Sequence, residues 1–361
     1  MTTVILHGPG AVREFLLGAE HHAAADARAD ALHGHGTPRD PAGGARGPAA
    51  PPARAAEREP GGQSDTQRTQ SGVVMGKYST SAFKSYRAVA DLDRAQQIAA
   101  TTSPFTIEVR FLGGLTATQE DAFAQAADRW TRVIVGDLDT AVVGEDVIDD
   151  LLIEAEGVAI DGVGGILGMA GPTDFRKPSA TAGARLPAKG VMRFDSADLD
   201  QMVADHTIVD VITHEMGHVL GVGSIWTDFD LLQGAGTNNP TFTGFGAMSE
   251  FGKLLGVGEP TPVPVANVGG PGSRDSHWRE SVFHNELMSP QIAAAGNPLS
   301  RMTAASLGDL GYQVDVDQAE PYEIPDLLTA ARTGDSLPRV GLINGGIVLP
   351  VVPTGRPAGQ P

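Results

Sequence analysis

Thr207-Ile208-Val209-Asp210-Val211-Ile212-Thr213-His214-Glu215-Met216-Gly217-His218-Val219-Leu220-Gly221 is the stretch from which the rest of the chain is read. Ile208, Val211, Ile212 and Val219 recur at helical spacing, and Gly221 and Gly223 end the run because glycine takes positive φ without steric cost. Thr207 and Asp210 stand where a capping box would open the helix. On that helix His214 and His218 lie one turn apart on one face, so two imidazoles can grip one metal ion. Glu215 sits one position round, within reach of a metal-bound water without being a ligand.

This His-Glu-x-x-His spacing is the arrangement of zinc-dependent peptidases. Catalytic zinc takes three protein ligands and leaves a fourth position for water, so one ligand must come from outside the helix. The compact version of the motif places a third histidine three residues after the helix glycine, where this chain has Ser224. His277 and His284 are the candidates downstream. Upstream, His206 reads as a helix-start residue.

Residues 1–76 are rich in Ala, Gly, Pro and Arg and poor in aromatics, too little apolar surface to offset ordering entropy, so disorder is expected. Histidines 7, 21, 22, 33 and 35 fall here and read as solvated rather than metal-binding. Met75 offers an alternative start. Gly8-Pro9-Gly10 and Arg13-Glu14 break the apolar core that a secretion signal needs. Residues 77–104 form a lead-in, helical from Ala82 to Ala100. An N-terminal catalytic subdomain follows over 105–223.

Within it, Phe105 to Phe111 alternates apolar and polar like a half-buried strand. Thr116 with Gln119, or Thr118 with Asp121, caps a helix whose stripe is Phe123, Ala126, Ala127, Trp130, Val133 and Ile134. Further strands are expected at Leu151–Ile160, Gly165–Ala170 and Gly190–Phe194. Gly165, Ile166, Leu167, Gly168 and Met169 lie in a glycine-rich run ending at Pro172, a poor central strand. It suits either an edge where another backbone approaches closely or a turn-rich edge. Asp195, Asp198 and Asp200 offer oxygen ligands of the kind calcium takes, but solvated acids capping the next helix are the preferred reading.

Residues 224–318 form a largely irregular C-terminal subdomain, with one helical piece at 247–255 and a last helix from Ser300 to Leu310, closed by Gly311. A loop as long as 224–276 is uncommon in a compact domain and usually functional. The 319–361 tail is rich in Pro and Gly, with apolar runs at 340–343 and 347–352 that can dock as strands. The expected class is therefore α+β: a twisted mixed sheet with two main helices, the second carrying His-Glu-x-x-His, above the irregular subdomain.

A net charge of −18 argues against nucleic acid as a partner, because phosphates are bound by Lys and Arg. The chain has no cysteine, which removes disulfides, thiolate zinc ligands and thiol nucleophiles. No apolar run approaches the roughly 20 residues of a membrane span. Oligomeric state has no signature in the sequence.

His214-Glu215-Met216-Gly217-His218-Val219-Leu220-Gly221, the long insertion, His277-Trp278 and Asn285-Glu286-Leu287-Met288 together resemble the leishmanolysin family of metzincins. The resemblance extends over roughly Phe105 to Tyr312. It implies a metzincin-like fold and a zinc metalloendopeptidase acting on peptide or protein substrates. It also implies His214, His218 and His277 as zinc ligands, Glu215 as general base and Met288 as the Met-turn methionine beneath the metal. The glycine-rich run 165–171 becomes the strand along which substrate lies, and Trp278 a brace for its loop. Pro290 stands where some metzincins carry a tyrosine. The disulfides and lipid-anchored domain of protozoan leishmanolysins are missing from this sequence, so a reduced, bacterial-type relative is expected and adhesion is not carried over. Such peptidases act outside the cell, although no export signal is visible. The rivals are a non-catalytic zinc-stabilised binding module and a metal hydrolase of small amides.

Overall fold

The computed structural model describes residues 77–80, 83–164, 166–270, 272–292, 296–325 and 347–350, all within Thr69–Pro361, the second of two compact units. The tail 1–76, Gly165 and the apolar run 340–343 lie outside the described residues.

A seven-stranded mixed sheet forms the scaffold. Its strands are β1 (Lys77–Thr80), β2 (Lys84–Val89), β3 (Thr106–Gly113), β6 (Leu151–Val158), β7 (Ile166–Phe175), β8 (Pro187–Asp195) and β12 (Ile347–Pro350). They lie in the order β1-β2-β3-β6-β8-β7-β12. β3, β6 and β8 run parallel, while β7 is antiparallel to β8. β4 (Ala141–Val143) and β5 (Asp146–Ile148) make a separate hairpin.

The expected helix from Ala82 to Ala100 is corrected. Residues 84–89 form β2, antiparallel to β3, and only Leu92–Ala99 is helical (α1), opened by Asp91 accepting from the Arg94 amide. Ser85, Tyr86 and Ala88 are buried while Lys84 and Arg87 are exposed. Burying one large side chain is worth about 1.5–3 kcal/mol, more than the few tenths per residue by which helix propensities differ. The free edge of β3 therefore decides the conformation.

α2 (Ala117–Val133) crosses the sheet. Thr116 and Gln119 form its capping box, one of the two alternatives read from the sequence. Its stripe is buried from Phe123 to Ile134, and Phe123 meets Phe111 of β3 and Phe194 of β8 edge-on at 6.1 and 5.8 Å. α3 (Ser196–Ala204) leads into α4 (Ile208–Leu220), the metal-motif helix. α4 lies on α2 through the Trp130 indole N–H, which donates to the Thr213 carbonyl at 2.9 Å. A side chain at Gly190 of β8 would collide with Val219, so helix and sheet meet closely beside His218.

The expected capping box on α4 does not form: Thr207 makes no side-chain cap. Asp210 instead takes Arg129 Nη1 at 2.8 Å, the Gly296 and Asn297 amides and the Asn297 side chain. This carboxylate ties three distant segments together.

Residues 224–318 carry a small sheet ordered β11-β10-β9 (Val263–Pro264, Thr241–Phe242, Leu232–Gln233) and the helices α5 (Phe245–Leu254), α6 (Glu280–Phe283) and α7 (Arg301–Leu310). Ser300 caps α7 as expected. Asp309 of α7 accepts from the Gly246 and Ala247 amides, closing the start of α5. None of the described helices is long and apolar enough to cross a membrane.

The open edge expected at β7 is also corrected. β12, from the apolar run at 347–352, pairs with β7 in parallel, with Ile347 opposite Ile166, Val348 opposite Gly168 and Leu349 opposite Met169.

Candidate metal centre

Three imidazoles converge at the end of α4. His214 Nε2 and His218 Nε2 are 3.1 Å apart, His214 Nε2 and His277 Nε2 3.1 Å, and His218 Nε2 and His277 Nε2 3.0 Å. Each of the other ring nitrogens faces a main-chain carbonyl. His214 Nδ1 donates to Leu287 at 2.6 Å, His218 Nδ1 to Val222 at 2.8 Å and His277 Nδ1 to Ser273 at 2.9 Å. A carbonyl only accepts, so each Nδ1 carries the proton and each Nε2 is bare. Three lone pairs pointing at one another is an arrangement that a cation relieves. A triangle with sides near 3.1 Å has corners about 1.8 Å from its centre, close to the roughly 2 Å of a zinc–imidazole bond, so the three nitrogens would hold such an ion. The donor set suits zinc, and the carbonyl partners are the usual means of fixing a ligating histidine.

Electrostatics agrees with neutral rings. Burial, aided by the neighbouring His218, lowers the His214 imidazole to about 3, and burial lowers His218 to about 4. His277 is likewise held well below its ordinary value by burial and the two adjacent rings. Glu215 Oε1 lies 4.0 Å from His214 Nε2, and its buried Oε2 has no hydrogen-bond partner. Burial raises this carboxyl to about 8.

The third imidazole arrives by a contact between backbones. Gly223, at φ 74°, follows the end of α4, and any Cβ there would run into the Ser276 carbonyl. This approach seats His277 against the helix. Ser224, in place of a third helical histidine, turns its hydroxyl onto the His218 carbonyl at 2.6 Å. Trp278 is fully buried against Trp226 (4.7 Å) and Phe242 (5.5 Å), bracing the loop as expected.

Met288 is fully buried against Gly217 of α4. A Cβ on Gly217 would sit 2.7 Å from its sulfur and 2.9 Å from Trp130 Cζ2, so only glycine lets the helix settle onto the thioether. His284, the alternative third ligand, is not brought to the cluster. Its Nδ1 lies 3.9 Å from Glu280 Oε1, and among the described residues the imidazoles that could share an ion are His214, His218 and His277.

Glu286, quoted in the Asn285-Glu286-Leu287-Met288 motif, was given no role of its own. Fully buried, it accepts from the Met288 amide at 2.6 Å, from the Ser300 hydroxyl at 2.6 Å and from the Thr303 hydroxyl. Thr303 Oγ1 in turn accepts the Trp278 indole N–H at 2.7 Å. One carboxylate thus joins the turn carrying Met288, α7 and the loop behind His277. No local pattern announces it, because all its side-chain partners are fourteen or more residues away.

Of the residues expected to hold substrate, Ile166, Leu167, Gly168 and Met169 form the start of β7, between β8 and β12. A Cβ on Gly168 would meet the Arg193 carbonyl of the neighbouring strand β8. Asp195 caps α3, but Asp195 and Asp198 are buried, not solvated. The exposed Asp200 takes the Gln119 amide at 3.1 Å.

The leishmanolysin peptidase family model matches residues 175–326, from the end of β7 past α7. The chain is 31% identical to leishmanolysin of Leishmania major over 142 residues, 37% of this chain and 23% of that protein. For leishmanolysin of Leishmania tropica the identity is 30% over 142 residues, covering 37% and 21%. For the leishmanolysin homolog of Crithidia fasciculata it is 26% over 133 residues, covering 35% and 20%. The chain spans less than a quarter of the length of these relatives.

Proposed function

We propose that this leishmanolysin-like chain is a zinc-dependent metalloendopeptidase, with His214, His218 and His277 as ligands. The observation that carries the proposal is the set of three bare Nε2 atoms within 3.1 Å of one another, each ring locked by a carbonyl behind it. Zinc held there would lower the pKa of a water to about 7 and polarise the scissile carbonyl.

The residues divide the remaining work. Glu215, beside the ligands yet too far from His214 Nε2 for a shared proton, takes the water's proton on its unpartnered Oε2 and returns it to the leaving amine. Burial raises the Glu215 carboxyl above its ordinary value, which makes the carboxylate a stronger base for that proton. Met288 acts as a buried floor under the helix, not as a ligand. An extended peptide pairs with β7 over Gly165 to Met169 by main-chain hydrogen bonds, taking the place that Ile347–Pro350 occupies.

Digestion of a denatured protein by the purified chain, with and without a zinc chelator, tests the reading. Chelator-sensitive cleavage is expected. Zinc retained at one ion per chain without any cleavage would instead support a binding module.

A further inference from the structure

Asp210 and His214 stand four residues apart on α4, so their side chains leave the same face of the helix one turn from each other. Both reach segments outside the helix. Asp210 Oδ2 accepts the amides of Gly296 (3.0 Å) and Asn297 (3.3 Å) and the Asn297 side-chain amide (3.1 Å). His214 Nδ1 donates to the Leu287 carbonyl at 2.6 Å. The two segments are themselves joined, because the Leu287 amide donates to the Pro298 carbonyl at 2.9 Å and Pro298 directly follows Asn297. The path from Asp210 through Asn297, Pro298, Leu287 and His214 back to the helix is therefore a closed ring.

Arg129 of α2 braces the ring from outside. Its Nη1 donates to Asp210 Oδ1 at 2.8 Å, its Nη2 to the Asn297 carbonyl and its Nε to Glu320 Oε1 at 2.8 Å. Glu320 Oε2 in turn accepts the Leu299 amide at 2.8 Å. A guanidinium presents its donors in a fixed planar fork, so it sets the Asp210 carboxylate and the Asn297 carbonyl relative to each other as a rotating ammonium could not. Residues 296–299 belong to no helix or strand, so these side-chain contacts, together with the one bond to Leu287, hold them in place. Asn297 and Arg129 are buried, where a lost partner is not cheaply replaced by water.

Leu287 commits its N–H to the segment that Asp210 anchors and its C=O to the imidazole of His214. A shift of Asn297 and Pro298 is thus passed to the acceptor that orients the ring. His218 and His277 lean on the Val222 and Ser273 carbonyls, outside this path. Glu286 acts separately, through the Met288 amide.

We propose that Asp210 is a positioning residue for His214, acting with Arg129 through Asn297, Pro298 and Leu287 to hold that imidazole at the metal. The inference rests on the ligand set proposed above and not on peptide cleavage.

The test follows the three Nδ1 protons by NMR in the zinc-loaded full chain labelled with ¹⁵N-histidine, beside a zinc-competition titration. In Asp210→Asn no orientation of the amide satisfies both sides: if its oxygen keeps the Asn297 donors, its NH₂ faces Arg129. The His214 Nδ1 proton should shift and exchange faster with water, while those of His218 and His277 stay in place. Zinc affinity should fall about tenfold or more. Asp309→Asn, which weakens the carboxylate closing the start of α5, controls for general loosening and should leave all three protons and the zinc affinity unchanged. If Asp210→Asn does not fold, Asn297→Ala removes one of the four donors to Asp210 and should give the same selective shift, smaller in size. The proposal is overturned if the His214 signal is unmoved, if the three signals move together, or if zinc affinity is unchanged. A chain that binds no zinc would remove the ligand set and this inference together. Bound zinc with the selective shift but no cleavage would support the inference while removing the peptidase reading.

Discussion

The Nδ1 of His214 is held 2.6 Å from the carbonyl of Leu287, the residue just ahead of Met288. The turn carrying Leu287 therefore selects the tautomer of a proposed ligand, and whatever anchors that turn would bear on metal binding. Glu286 is the anchor. Replacing it by Ala would leave the Ser300 and Thr303 hydroxyls without their buried acceptor. Stability should fall by about 2–4 kcal/mol and zinc affinity by about 10–100-fold, read by denaturant unfolding and a zinc-competition titration. Unchanged zinc affinity would remove Glu286 from this role.

His277→Ala should lower bound zinc far more than His284→Ala, since only the first imidazole presents Nε2 to the other two. Elemental analysis of the two purified variants decides it, and the reverse order would overturn the ligand assignment.

Glu215→Ala should retain zinc and lose about 10²–10⁴-fold or more in cleavage of a denatured protein. Metal content and turnover measured on the same preparation separate a proton carrier from a structural carboxylate. Near-normal cleavage by this variant would end the assignment.

Gly217→Ala is expected to destabilise, against helix propensity. Alanine gains up to about 1 kcal/mol within a helix, but the added methyl meets both the Met288 sulfur and the Trp130 ring, an overpacking cost of about 1–3 kcal/mol. The unfolding midpoint should fall and zinc should bind more weakly.

Proline at both Val348 and Leu349 would remove two amides from β12, and because consecutive amides of a strand face opposite sides, one of them is a donor toward β7. If peptide and β12 compete for β7, that lost hydrogen bond is worth about 1 kcal/mol, or about fivefold. KM should then fall with kcat unchanged. A KM that stays the same would place the peptide elsewhere.

Much of this could be read before the structure was seen. The spacing of His214 and His218, the Thr116–Gln119 box and the Ser300 cap are local, set by residues within one or two helical turns. What escaped was long-range. Residues 84–89 are a strand because β3 offers them an edge. Asp210 fails to cap α4 because Arg129 and Asn297 claim it from afar. Asp198 resembled a solvated acid because nothing in Asp-Ser-Ala-Asp reveals the turn folded over it. The occupied edge of β7 was legible only as an apolar run near the C-terminal end of the sequence.

The abutment of Gly223 on Ser276 means that the segment 224–276 leaves the metal centre and returns to the same point. Its length is thereby uncoupled from ligand geometry: doubling such a loop costs only about 0.6 kcal/mol of closure entropy. A segment of different length could therefore stand between these two residues without retuning the cluster, provided an aromatic remains to back Trp278 as Trp226 and Phe242 do here.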